Sequence, residues 1–134
     1  MLHNCPVLYY LLASTLLYWI MLMYTSMVHA KGWTLLGMLL MFSNRDNMPE
    51  RSAMVARADR ATRNMAENLL IFAIVTLMAV LVGASREKLL LGGQIFFFAR
   101  LAYFPVYLAG IPYLRTAAWA TGVVGIVIVG NAMW

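Results

Sequence analysis

From Pro6 to Val28 the chain carries no charged residue. At 1.5 Å per helical residue this run is about 34 Å long, enough to cross the roughly 30 Å hydrocarbon core of a bilayer. A secretory signal peptide is the competing reading. It is disfavoured because no Lys or Arg precedes the run and its apolar length is about twice that of a usual signal-peptide core. The segment therefore reads as a first transmembrane helix. Tyr9, Tyr10, Tyr18, Trp19 and Tyr24 lie along it, the outer ones suited to the headgroup level and the central pair to packing.

Three further spans follow the same logic, at about 62–85, 89–109 and 112–134. The only long connection is 29–56. Within it Gly32-Trp33 ends the first span, and Thr34–Phe42 is an apolar patch too short to cross, which should extend the first helix or lie in the interface. Asn47 and Glu50, with Pro49 between them, resemble a helix N-terminal box that starts the second long helix ahead of its charged motif. Arg86-Glu87-Lys88 reads as a tight polar connection, and Gly110-Ile111-Pro112 as a stop followed by a new start. Ala118, Gly122 and Gly125 offer small surfaces for close helix packing. The expected fold is an all-α integral membrane protein, a four-transmembrane-helix bundle forming one domain over 1–134, with spans at about 6–30, 62–85, 89–109 and 112–134.

Composition excludes other classes. Of the 134 residues 63% are hydrophobic and 11% charged, against about 25% charged in soluble domains. A single cysteine, Cys5, rules out an intrachain disulfide and a cysteine-rich metal centre. His3 and His29 are too far apart in sequence to form a metal pattern, so no metal is expected. The net charge of +5 could favour nucleic acid, but the basic residues sit beside apolar spans, where membrane orientation accounts for them. Lys31, Arg45, Arg51, Arg57, Arg60, Arg63 and Arg115 share one side, against Arg86 and Lys88 on the other. The positive-inside rule then puts both termini outside and the connection 31–61 in the cytoplasm. A bacterial inner membrane with periplasmic termini is the expected location.

The ionisable groups concentrate in Arg57-Ala-Asp-Arg60-Ala-Thr-Arg63-Asn64-Met-Ala-Glu67-Asn68, which runs directly into apolar Leu69–Val75. At helical spacing Arg60, Arg63, Asn64 and Glu67 share one narrow sector. Lipid anchoring accounts for basic residues at a boundary, and Arg57 fits it. It accounts for neither the amide nor the acid, which suit a small ligand carrying carboxylates and an ammonium. Arg100 stands about 18 Å from Lys88 and about 15 Å from Gly110 along its helix, near mid-membrane. There it costs about 2.5–3.5 kcal/mol and should face the bundle interior. Tyr103 and Tyr107 extend its face, and Glu67 is the nearest candidate counter-charge. A structural Arg100–Glu67 pair and a ligand-lining role are both open.

Arg57-x-x-Arg60-Ala-x-Arg63-Asn64-x-x-Glu67-Asn68, followed by Arg100-x-x-Tyr103-x-x-x-Tyr107-Leu and Arg115-Thr116, resembles the MAPEG superfamily, the membrane-associated proteins of eicosanoid and glutathione metabolism. The likeness covers nearly the whole chain, and Asn44–Pro49 and Tyr103–Thr116 look like its short bacterial branch. It implies a homotrimer with glutathione, as co-substrate, between subunits near the cytoplasmic face. By position it implies Arg63, Asn64 and Glu67 on the glutathione backbone with Arg60 nearby, and Tyr103, Tyr107 and Thr116 lining the site. Arg115 matches the arginine that stabilises the thiolate; the rival assignment gives that role to Arg100. Two positions depart from the family pattern: Thr62 stands where many members have His, and Trp119 near where some enzymatic branches have Tyr.

The function implied is a glutathione-dependent transferase or peroxidase acting on lipophilic electrophiles drawn from membrane lipid. A non-catalytic lipid-binding or regulatory protein on the same scaffold is the first alternative. A small four-span transporter is disfavoured, because the first span has no acidic residue to couple protons.

Overall fold

The computed structural model describes residues 5–134; His3 lies outside them. Five helices follow one another, α1 (Val7–Ala30), α2 (Leu35–Phe42), α3 (Ala53–Leu81), α4 (Arg86–Ala109) and α5 (Pro112–Asn131). All but α2 are long and apolar enough to cross a membrane.

The short patch is neither an extension of α1 nor free of it. Lys31 adopts the left-handed conformation with φ 54°, and its N–H reaches the carbonyls of Met27 and Val28. Gly32 N–H closes the end by donating to Met27 O at 2.9 Å, which satisfies carbonyls that α1 would otherwise leave open. Thr34 then caps α2 by accepting from Gly37 N–H at 3.0 Å. A Cβ on Gly37 would overlap the carbonyls of Ala30 and Lys31, so the glycine is what lets α2 fold back onto the end of α1. The outer face of α2 is left bare, with Leu35, Leu36, Leu39 and Phe42 exposed.

Sequence placed two helix starts differently. α3 begins at Ala53, capped by the Ser52 hydroxyl accepting from Val55 N–H at 3.2 Å, and Asn47 and Glu50 lie in the loop before it. Arg86-Glu87-Lys88 is the first turn of α4 rather than a connection. Acidic Glu87 there faces the partly positive helix end, which favours a helical start. The turn into α5 is as the residues imply: Gly110 caps α4 at φ 75°, and Pro112 opens α5.

These turns put Ala30, the 43–52 loop, the start of α3 and Gly110 at one end of the bundle. Ser85 N–H donates to Ala132 O at 3.3 Å at the other end. Arg57 marks the first end as a packed surface. It is half-buried, and its guanidinium lies 3.5 Å from where a Cβ on Gly110 would stand. Its charge therefore sits by the partly negative C-terminus of α4.

The core runs through Val7, Met21, Met65, Phe72, Phe96 and Val129, all fully buried. Phe72 and Phe96 stack with centroids 4.0 Å apart, tying α3 to α4, a contact worth about 0.5–1.5 kcal/mol beyond its buried area. α4 and α5 pack closest, because Gly92 and Gly125 bring backbone against backbone. Outward, Leu12, Leu16, Ile20, Leu70, Ile71, Ile74 and Leu77 are exposed, a belt that suits lipid tails.

Candidate functional site

The polar sector of α3 divides at Asn64. The buried face of this helix runs through Ala58, Ala61, Thr62, Met65, Asn68, Leu69 and Phe72. At about 100° per residue Asn64 stands at the rim of that face, and Arg60, Glu67 and Arg63 lie progressively further round. Arg60, Arg63 and Glu67 are accordingly exposed, while Asn64 is half-buried. Arg63 pairs with Asp59 one turn earlier, and Asp59 also takes Arg51 at 3.2 Å. Arg60 and Glu67 have no ion pair among the described residues.

Arg100 is fully buried. Its partner is Asn64, whose Oδ1 accepts from NH1 at 2.8 Å, and not Glu67. The physical reason is helix phase: Glu67 sits on the outward side of α3, whereas Asn64 sits at the α3–α4 seam. The guanidinium carbon lies 5.5 Å from the Phe96 ring centre and 5.2 Å from that of Tyr103, where each ring's negative face attracts it. Gly122 on α5 makes the necessary room, since a Cβ there would stand 3.1 Å from Arg100 Nε.

From Arg100 the contacts continue along α4 to the basic end. Tyr103 and Tyr107 are buried and meet edge to face at 5.4 Å. Arg115, in the first turn of α5, lies over Tyr107 at 4.8 Å. Pro112 and Gly110 fix this placement, because the sharp stop and restart drop the beginning of α5 beside the last turns of α4. Thr116 donates its hydroxyl proton to Pro112 O at 3.1 Å.

Asn64, Tyr103, Arg115, Thr116 and Trp119 line one cavity of about 140 Å³. Four of these five, Asn64, Tyr103, Arg115 and Thr116, are residues for which the sequence resemblance implies a site role, and they come from three helices. Tyr107 lies immediately behind, through Arg115. Arg60, Arg63 and Glu67 are not gathered in; they face away from their own bundle. Thr62 is buried and bonded to Thr25 across α1 and α3 at 3.1 Å, so it holds helices together away from the cavity. Sequence reasoning missed Asp59 as the partner of Arg63 and Gly122 as the space for Arg100. The i, i+4 spacing of Asp59 and Arg63 could have found the first.

A cavity with a guanidinium, an amide, two hydroxyl-bearing side chains and an indole wall can hold an anion. No group of three or more His, Cys, Asp or Glu that could hold a metal ion occurs among the described residues.

Among curated proteins none matches the chain. The sequence model of the MAPEG family matches residues 7–132. That match spans all four long helices and every lining residue of the cavity, and with their apolar surfaces it makes the chain an integral membrane protein. The chain belongs to the MAPEG family.

Proposed function

We propose that this protein is a membrane glutathione-dependent transferase or peroxidase acting on lipophilic electrophiles. Glutathione binds at the basic end, between protomers of a homotrimer, with that end in the cytoplasm. The observation that carries the reading is the convergence of Asn64, Tyr103, Arg115 and Thr116 on one cavity, beside an outward face bearing Arg60, Arg63 and Glu67.

The size of the cavity supports completion by a second copy. At about 140 Å³ it is well below the roughly 300 Å³ at which small-molecule pockets begin, so one protomer encloses only part of a tripeptide. The exposed arginines and Glu67 supply the complementary charges for the rest: carboxylates for Arg60 and Arg63, the ammonium for Glu67. Membrane-level polar groups of this kind face partners or water-filled sites rather than lipid.

Arg115 is the group assigned to the sulfur. A free thiol with a pKa of about 8.5 is mostly protonated at neutral pH, and a guanidinium close by favours the nucleophilic anion. Tyr107 under the guanidinium holds it in place. The thiolate then attacks an electrophilic carbon, forming a C–S bond as the leaving group departs with its electron pair, or it attacks a peroxide oxygen. In the second case an S–O bond forms as the O–O bond breaks and the alkoxide leaves to take up a proton; the thiol of a second glutathione then attacks the oxidised sulfur, giving glutathione disulfide and water.

Native mass spectrometry of the purified protein with glutathione tests the proposal in one experiment. A trimer carrying glutathione is expected. A monomer, or a trimer that carries none, refutes the corresponding half.

A second reading, non-catalytic lipid binding, has its own observation. An apolar groove of about 470 Å³, lined by Leu91, Gln94, Ile95, Phe98, Ala99 and Thr121, lies on α4 and α5 apart from the cavity. Glutathione binding without turnover of any lipophilic electrophile favours it.

A further inference from the structure

The way Arg100 grips Asn64 carries a consequence for what the cavity can recognise. A guanidinium has donors and no acceptor, so the Asn64 atom 2.8 Å from Arg100 NH1 must be the amide oxygen. The same oxygen lies 3.4 Å from Asn68 Nδ2, whose main bond goes to the backbone carbonyl of Asn64 at 2.8 Å. Both lone pairs of Oδ1 are thus addressed from within the protein. The remaining part of the amide, its NH2, makes no hydrogen bond among the described residues, and Asn64 borders the cavity.

Arg100 itself has little freedom to do anything else. Its Nε and NH2 are buried without a partner, the rings of Phe96 and Tyr103 flank it, and the backbone at Gly122 closes its remaining side. The bond from NH1 to Asn64 is its one directed contact among the described residues.

We propose that Arg100 is a positioning residue: buried behind the cavity, it locks the Asn64 amide so that only N–H donors face the ligand. The amide then favours a carboxylate, which accepts through either oxygen in a charge-assisted bond, over a carboxamide, which must turn its one carbonyl oxygen toward it and makes only a neutral bond. The inference deepens the glutathione reading and rests on it for the identity of the ligand. It divides the two arginines by mechanism. Arg115 lies at the cavity and acts on what is bound, whereas Arg100 acts through Asn64.

Without ligand, the order of melting temperatures of the full-length protein in lipid nanodiscs reports the amide orientation. Asn64→Asp keeps an oxygen for Arg100 and should melt at or above wild type. Asn64→Leu leaves the guanidinium without an acceptor and should melt lower. Equal loss in both variants overturns the proposed orientation.

With ligand, the affinities for glutathione and its two mono-carboxamide analogues are compared. Wild type should bind at least one analogue about tenfold more weakly than glutathione, the effect of one hydrogen bond to a charged group. In Arg100→Met the amide is free to turn, so that ratio should fall several-fold, leaving only the share that Arg60 and Arg63 contribute; a merely structural role would weaken all three ligands alike. Should Arg100→Met fail to fold, Asn64→Asp decides, because it should lose about tenfold in glutathione affinity while preferring the carboxamide. Unchanged ratios overturn the proposal. Wild type that binds no glutathione refutes the glutathione reading alone, and the melting order still decides the amide.

Discussion

Replacing Gly125 by alanine tests whether the α4–α5 contact is as close as described and whether it holds the cavity together. The added Cβ would stand 2.7 Å from Gly92 O and from Phe96 N, and 3.1 Å from Phe96 Cα. Ordinary contact begins near 3.4 Å, and these neighbours are backbone atoms that cannot rotate aside. The helices must therefore part by roughly 0.7 Å, an overpacking cost of about 1–3 kcal/mol. Alanine's better helix propensity offsets about 0.8–1 kcal/mol of this, leaving a net loss of up to about 2 kcal/mol. For a chain of this size that lowers the melting temperature by up to about 8 °C.

Gly130→Ala is the internal control. It gains the same propensity on the same helix, but its Cβ meets only Val75 Cγ1 at 3.8 Å, so it should melt no lower than wild type. Because α4 carries Tyr103 and α5 carries Arg115, parting them should also weaken ligand binding in Gly125→Ala. Both variants are melted in detergent, with binding measured at a temperature where each is folded. If Gly125→Ala melts as high as Gly130→Ala, the helices do not approach as closely as the geometry says.

Three further outcomes are expected. Arg115→Leu should keep glutathione affinity within a few-fold, since the proposed carboxylate contacts belong to Arg60, Arg63 and Asn64, while losing most turnover; steady-state kinetics beside equilibrium binding would expose the reverse pattern. Glu67 is exposed and has no ion pair among the described residues, so Glu67→Gln should leave the melting temperature alone yet weaken glutathione by about tenfold, the loss of one charge-assisted contact; calorimetry showing wild-type affinity removes Glu67 from the site. In a Cys5→Ser background, a cysteine introduced at Asn47 should resist impermeant thiol reagents in intact cells, and rapid labelling there would invert the topology.

The four long helices were legible because span length is set by bilayer thickness, and uncharged runs such as Pro6–Val28 announce it directly. The α4–α5 stop was legible because Gly110 and Pro112 each have one dominant backbone use. Other boundaries were not. Nothing local says that Lys31, rather than a glycine, takes the left-handed cap of α1, and Asn47 and Ser52 are equally good cap residues until the loop path is known. The site showed the same division. Spacing put Arg60, Arg63, Asn64 and Glu67 in one sector, but a sector has two edges, and sequence does not say which edge meets the neighbouring helix. That missing phase is why Glu67 looked like the counter-charge of Arg100 and Asn64 proved to be its partner. Arg100 itself was legible from depth alone, since a buried position was the only tolerable one for a charge at mid-span. The space that Gly122 provides for it depends on how α5 is rotated against α4, which periodicity on an apolar helix hardly encodes.

The central claim is that this cavity binds glutathione and makes its sulfur anionic. The most direct test is the thiol pKa of glutathione bound to the wild-type protein, followed by the ultraviolet absorbance of the thiolate as pH is varied. The account predicts a bound pKa clearly below the value of about 8.5 for a free thiol, with absorbance already present at neutral pH. Bound glutathione that titrates like free thiol would contradict it.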